Sequence, residues 1–136
     1  MKNNRYGILV LEDSEVQRNL ITECICRYDR EVFTAESIRD AKAIFNNNTD
    51  IDLIILDLQL PDGNGIDFLK YARKSSKPVR TIVESAFIPI DVQKQTYRLG
   101  VIAFFEKPFI ADELAIIVGI VLPEINHAIS LIARGN

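Results

Sequence analysis

Three carboxyl groups, one ammonium and one hydroxyl recur in a single context along the chain: each stands just after a short apolar run. Glu12 and Asp13 follow YGILVL, Asp57 follows LIIL, Ser85 closes a run near Val83, and Lys107 follows VIAFFE. Carboxylates gathered at one point repel one another unless a cation sits among them. A hard divalent ion suits them, and Mg²⁺ is characteristically held by a few carboxylates while keeping several waters. A lysine adds fixed positive charge and a serine adds a hydroxyl. Such a set fits a phosphoryl group, whose transfer needs mainly positioning and charge neutralisation. Asp57 can itself be the nucleophile and form an aspartyl-phosphate. Each residue alone has a plainer explanation: acids favour a helix N-terminus, lysines are mostly exposed, and Asp or Ser ends a strand by bonding a turn. Asp50, Asp52 and Asp62 read as solvated turn residues. It is the joint pattern that carries the chemistry.

The elements that would position these groups can be read from periodicity. Tyr6–Leu11, Glu31–Ala35, Leu53–Leu56, Pro78–Val83 and Val101–Phe105 are short strand-like runs. An unbroken apolar run of this length suits a strand buried on both faces, as in a parallel sheet. Helical spacing lies between and after them. Ser14 and Gln17 form a capping box ahead of Val16, Leu20, Ile21, Cys24 and Ile25. Ser37 precedes Ile38, Ala41, Ile44 and Phe45, a helix ended by Asn46–Asn48. Ile66, Phe68, Leu69 and Ala72 mark a third helix after the Pro61–Gly65 turn, and the RKSS stretch closes it. Pro89 opens a fourth, capped by Gly100, and Asp112 and Glu113 begin a fifth. Five strands alternating with five helices predict an α/β fold: a five-stranded parallel sheet, doubly wound and flavodoxin-like, with right-handed crossovers. In such sheets the carboxyl ends of the strands form the ligand edge, so all five groups fall on one rim.

Composition narrows the function classes. At 136 residues the chain suits one domain, with residues 1–122 as its body and residues 123–136 as a helical extension or the start of a linker. The net charge of -3 gives no basic footprint for direct nucleic-acid binding. No run reaches the roughly 18–20 apolar residues of a membrane span, and the N-terminus lacks a signal-peptide pattern. Cys24 and Cys26 lie two apart on a predicted helix, face different ways, and read as small buried hydrophobes in a reducing cytoplasm. His127 is the only histidine, too few for a zinc site. A dinucleotide-binding turn would need GxGxxG where the chain has EDSEVQ. A haloacid-dehalogenase-type phosphatase needs a second acid two residues after the nucleophile, where Gln59 stands.

With Glu12-Asp13, then Asp57 followed by Pro61 and Gly65, then Ser85-Ala86, Phe104, and Lys107-Pro108, all in order and at matching spacing, the chain resembles the receiver domain of a two-component response regulator from about Tyr6 to Val121. The resemblance implies that Asp57 accepts a phosphoryl group from a sensor histidine kinase or a phosphotransfer protein. It implies Mg²⁺ (or Mn²⁺) held by Asp13, Asp57 and the backbone carbonyl of Gln59, with Glu12 acting through water. Lys107 would contact the phosphoryl oxygens. Ser85 and Phe104 would form a switch, the hydroxyl moving in toward the phosphate and the ring moving from exposed to buried, and the Lys107–Pro108 bond would be cis. The domain would not be a conventional enzyme: it would catalyse its own Mg-dependent phosphorylation and slow autodephosphorylation. The alternative is a phosphorylation-independent interaction domain on the same fold, against which intact Asp57 and Lys107 argue.

Two departures stand out. Phe104 replaces the commoner Tyr, and Glu84 stands where an apolar residue usually precedes the switch hydroxyl, able to oppose phosphorylation or to contact a partner. Gln59 and Phe87 fall where phosphate lifetime is set in the family. The tail adds an expectation of its own. LAIIVGIVLP, from Leu114 to Pro123, has no charge, and Leu114, Val118, Val121, Ile125, Ala128 and Ile132 follow a coiled-coil-type seam. Ile117 and Ile120 would then serve the sheet. The seam predicts a homodimer or effector-docking face shared with the fourth helix and fifth strand, and Pro123 either interrupts the last helix or opens a separate one from Glu124 to Ala133.

Overall fold

The structure is a computed structural model and describes residues 5–48, 50–75 and 79–123. In chain order the elements are β1 (Tyr6–Leu11), α1 (Glu15–Ile25), β2 (Arg30–Ala35), α2 (Ile38–Asn47), β3 (Ile51–Leu56), β4 (Gln59–Leu60), β5 (Gly63–Asn64), α3 (Gly65–Arg73), β6 (Arg80–Ser85), α4 (Ile90–Tyr97), β7 (Val101–Glu106) and α5 (Ala111–Val121). The long strands form one parallel sheet in the order β2-β1-β3-β6-β7. This is the doubly wound α/β architecture that the alternation predicts.

Because side chains alternate across a strand, each central strand feeds two cores. Leu9, Leu11, Ile54, Leu56 and Val83 pack with Ile38 and Ala41 of α2 and with Ile66, Phe68, Leu69 and Ala72 of α3. Ile8, Val10, Leu53, Ile55 and Ile82 pack with Ile21 and Ile25 of α1 and with Leu114, Val118 and Leu122 on the α5 side. Burial on both faces is why these strands read as unbroken apolar runs rather than as alternating ones. By the same parity, Glu12, Asp57 and Glu84 continue the α1–α5 face beyond Val10, Ile55 and Ile82.

Local signals start the helices at the expected positions. The Ser14 hydroxyl accepts from Gln17 N at 3.3 Å, and the Ser37 hydroxyl accepts from Asp40 N at 3.2 Å. Gly100 has φ +91, the left-handed region that glycine adopts without steric cost. Gly65 is required for a different reason. A Cβ there would lie 2.5 Å from the carbonyl oxygen of Asp57, so only glycine lets α3 begin against the loop that carries this aspartate.

Several expectations are corrected. The loop after Asp57 contains a two-stranded antiparallel pair, β4 with β5, too short to register as strands in the sequence. Asp62 is not simply a solvated turn residue: its two carboxylate oxygens accept from Ile38 N at 2.9 Å and Arg39 N at 3.0 Å, capping α2 from another loop. Asp52 likewise accepts from Gly7 N at 3.0 Å. Cys26 is exposed and caps the end of α1, and Cys24 is only part-buried. Val16, placed on the apolar stripe of α1, is 77% exposed. On α5 the expected partition holds only for Ile117, which is part-buried against the sheet core. Leu114 and Val118 are fully buried against the sheet, whereas Ile120 is 71% exposed. A stripe that covers a sheet and a coiled-coil seam share nearly the same spacing, so periodicity alone could not say which way it faced. Pro123 follows α5, and its carbonyl accepts from the Tyr6 hydroxyl at 2.8 Å. Pro78, the seam positions Ile125, Ala128 and Ile132, the segment Glu124 to Ala133, and His127 lie outside the described residues. No helix among the described residues is long and apolar enough to cross a membrane.

Candidate functional site

All five predicted groups stand at the carboxyl ends of the parallel strands. Glu12 directly follows β1, and its backbone N–H donates to the Ala35 carbonyl at 3.0 Å, extending the sheet ladder by one residue. The same extension holds Asp57, whose N–H donates to the Leu11 carbonyl at 2.9 Å, and Lys107, whose N–H donates to the Ser85 carbonyl at 2.8 Å. The residues that carry the chemistry are thus pinned by backbone bonds to neighbouring strands, not left on free loops. The Arg18 guanidinium closes the turn after β1 by donating to the carbonyl oxygens of Glu12 at 2.9 Å and Asp13 at 3.3 Å.

Asp57 is the centre of the arrangement and is 4% exposed. Its Oδ1 accepts from the Ser85 hydroxyl at 3.0 Å and from Gln59 N at 3.0 Å, and its Oδ2 accepts from Lys107 Nζ at 2.8 Å. Lys107 also donates to Glu12 Oε1 at 2.6 Å, while Glu12 Oε2 accepts from Ser14 N at 2.9 Å. Burial alone would pull the Lys107 ammonium down. Its hydrogen bonds to Asp57 and Glu12, with the nearby charges of Glu84 and Asp57, outweigh that and hold it above the ordinary lysine range. Asp13 is exposed at the mouth. One oxygen each of Glu12, Asp13 and Asp57 can be chosen so that all three lie within 4.8 Å of one another. All-oxygen donors at that spacing, open on the Asp13 side, fit a hard divalent cation that keeps waters. The Lys107–Pro108 peptide is cis, as the resemblance implies.

Of the two residues expected to form a switch, Ser85 is fully buried, with its hydroxyl turned to Asp57. Phe104 is half-buried against the α2–α3 core and lines a groove of about 500 Å³ with Ile90, Gln93, Lys94, Tyr97 and Arg98. Gln59 and Phe87 are exposed at the rim.

Glu84 belongs to this site, which the sequence did not make plain. It is fully buried, so it cannot contact a partner. Its Oε2 lies 3.3 Å from Lys107 Nζ, yet neither carboxyl oxygen has a hydrogen-bond partner of good geometry. Its carboxyl is pushed up to about 9, first by burial and then by the charge of Glu12, with Lys107 pulling the other way. Strand parity could have found it: Glu84 is two residues past the inward Ile82, on the same face as Glu12.

The likeness to known proteins extends over most of the described region. The family model for the response regulator receiver domain matches residues 8–119. The chain is 29% identical over 107 residues to the sporulation initiation phosphotransferase F of Bacillus subtilis, covering 79% of this chain and 86% of that protein. It is 30% identical over 130 residues to the cell cycle transcriptional regulator CtrA of Caulobacter vibrioides, covering 95% of this chain but only 56% of that longer protein. Among solved structures, the non-phosphorylated HemR receiver domain of Leptospira biflexa superposes with a TM-score of 0.80 at 29% identity, over 88% of this chain and 96% of that one.

Proposed function

The chain belongs to the response regulator receiver domain family, and from that premise we propose that it is a signalling switch that takes a phosphoryl group onto Asp57. The observation that carries this is the set of partners on one carboxylate. Lys107 Nζ lies on Oδ2, the Ser85 hydroxyl lies on Oδ1, and ligand oxygens of Glu12 and Asp13 stand within 4.8 Å.

In the transfer, an Asp57 carboxylate oxygen attacks the phosphorus of a phosphohistidine on a sensor kinase or phosphotransfer protein. The O–P bond forms as the N–P bond breaks, and the imidazole leaves with the bonding pair and is then protonated. The three phosphoryl oxygens need cationic and hydrogen-bonding partners as charge redistributes. Lys107 supplies an ammonium and Ser85 a hydroxyl donor. Glu12, Asp13, Asp57 and the backbone carbonyl of Gln59 would hold Mg²⁺ or Mn²⁺, Glu12 through water, and the ion supplies further charge neutralisation when bound. Slow self-hydrolysis by water at the open Asp13 side returns the switch to its resting state.

The output follows from position. Ser85 closes the buried end of β6 and Phe104 lies on the neighbouring β7, so a hydroxyl drawn to a phosphoryl oxygen alters the space open to the ring. That change would be read on the α4–β7–α5 side, where Ile90, Tyr97, Ile102, Ile116 and Ile120 are exposed. Such a patch suits an effector or a second copy of the chain. Light scattering on residues 1–136, with and without beryllofluoride, tests self-association, and a monomer in both conditions would exclude the second copy.

Acetyl phosphate with Mg²⁺ tests the acceptor. The intact chain should gain the mass of one phosphoryl group, and Asp57→Asn should gain none. A wild type that takes up nothing would instead support a phosphorylation-independent interaction domain.

A further inference from the structure

An ammonium carries three N–H donors, and in this structure three carboxyl groups surround that of Lys107. Glu12 Oε1 at 2.6 Å and Asp57 Oδ2 at 2.8 Å take two in good geometry. Glu84 Oε2 faces the third at 3.3 Å. When Asp57 becomes an acyl phosphate its charge moves onto the phosphoryl oxygens, and the ammonium has to turn toward them at the expense of a present contact. The Glu84 contact is the longest, and unlike the other two it lacks hydrogen-bond geometry, so it is the one that yields.

Its loss has a consequence because of where Glu84 sits. The side chain is fully buried, and neither carboxyl oxygen has a hydrogen-bond partner among the described residues, so the Lys107 ammonium is the cation it faces. Leaving a buried polar group without its partner costs far more than replacing both by apolar groups of similar shape. By strand parity this position points toward the core that holds Ile82, where a valine or leucine would pack without that cost.

We propose that Glu84 is a positioning residue that competes with the phosphoryl group for the Lys107 ammonium, and so acts as a built-in brake on the phosphorylated state. The brake rests on Asp57 being the phosphoryl acceptor. It needs an oxygen at position 84 facing Lys107, not a charge, and a glutamine would preserve that oxygen. The brake acts on the stability of the phosphorylated form and leaves the fold of the resting form intact.

Three versions of the chain, wild type, Glu84→Gln and Glu84→Val, should be titrated with beryllofluoride in excess Mg²⁺, with occupancy followed by backbone amide NMR shifts. Glu84→Val should half-saturate at roughly fivefold to tenfold lower beryllofluoride than wild type, and Glu84→Gln should stay within about threefold of wild type. A parallel acetyl phosphate reaction reports whether wild-type Asp57 is an acceptor at all. If wild type is labelled but the valine variant titrates like wild type, the brake is wrong and the acceptor assignment stands. If glutamine and valine shift equally, the oxygen at position 84 is not what engages Lys107 and the competition for Lys107 is likewise overturned. If wild type takes up no phosphoryl group, the acceptor assignment fails and the brake falls with it. Resting-state amide spectra that coincide away from the site would confirm that all three versions fold alike.

Discussion

Lys107 Nζ lies 2.8 Å from Asp57 Oδ2 and joins two residues that are 50 positions apart in the chain. The same ammonium holds Glu12 at 2.6 Å, so one cation bridges the ends of three strands. Removing it leaves buried carboxyls facing one another, and breaking a buried pair from one side characteristically costs about 3–5 kcal/mol. Lys107→Met should therefore lower the thermal midpoint measured in a chelating buffer, and Mg²⁺ should restore more of it than it adds to wild type. A variant that melts like wild type without metal would show that the bridge contributes little to stability.

The carboxylates at the mouth predict a metal-dependent melting temperature. A ligand that binds only the folded state stabilises it by mass action, by about 2.7 kcal/mol at a hundred times its dissociation constant. Wild type should gain several degrees between chelator and saturating Mg²⁺. Asp13→Ala removes an exposed oxygen without disturbing the core, so its chelator midpoint should match wild type while most of the Mg²⁺ gain disappears. An equal gain in both proteins would place the ion elsewhere.

Glu84 predicts a pH dependence with a definite sign. Its carboxyl is raised from the ordinary value of 4.5 to about 9 by burial and by the charge of Glu12. The folded chain therefore keeps this proton through a range in which the unfolded chain has lost it. The associated stability is fully present below about pH 4.5 and is lost as pH climbs toward 9, with a limiting slope of about 1.4 kcal/mol per pH unit. In chelator, wild type should lose stability relative to Glu84→Val across that window, as read from denaturant midpoints at several pH values. Parallel curves for the two proteins would mean that the buried carboxyl is ionised or has water access.

Asp62 ties the loop after Asp57 to the start of α2 through the Ile38 and Arg39 amides. Those two backbone hydrogen bonds, in that order, hold its carboxylate below the ordinary range. A depressed carboxyl contributes stability above its unfolded value and loses it as pH falls. Asp62→Ala should lower the melting midpoint at neutral pH and speed hydrogen exchange at the Ile38 and Arg39 amides in particular. Unchanged exchange at these two amides would mean that water or another group caps the helix equally well.

The fold and most of the site were legible in the sequence because each depends on local pattern. Apolar runs on doubly buried strands, each ended by a polar residue, place Glu12, Asp13, Asp57, Ser85 and Lys107 on one rim once the alternation with helices implies a parallel sheet. Capping residues such as Ser14 and Ser37 act within one turn of helix, so their role is written in adjacent letters. What tertiary structure alone decided were the matters of facing and reach. The 4-3 stripe of Leu114 and Val118 turned inward because the sheet edge and α1 offered apolar area to cover. Asp62 proved to be a cap because the short β4–β5 pair carries it 24 positions back to α2. Glu84 looked like an isolated departure from pattern. Only the packing of β6 between β3 and β7 shows it sealed from water beneath Lys107, because burial is a property of what surrounds a residue and not of the residue itself.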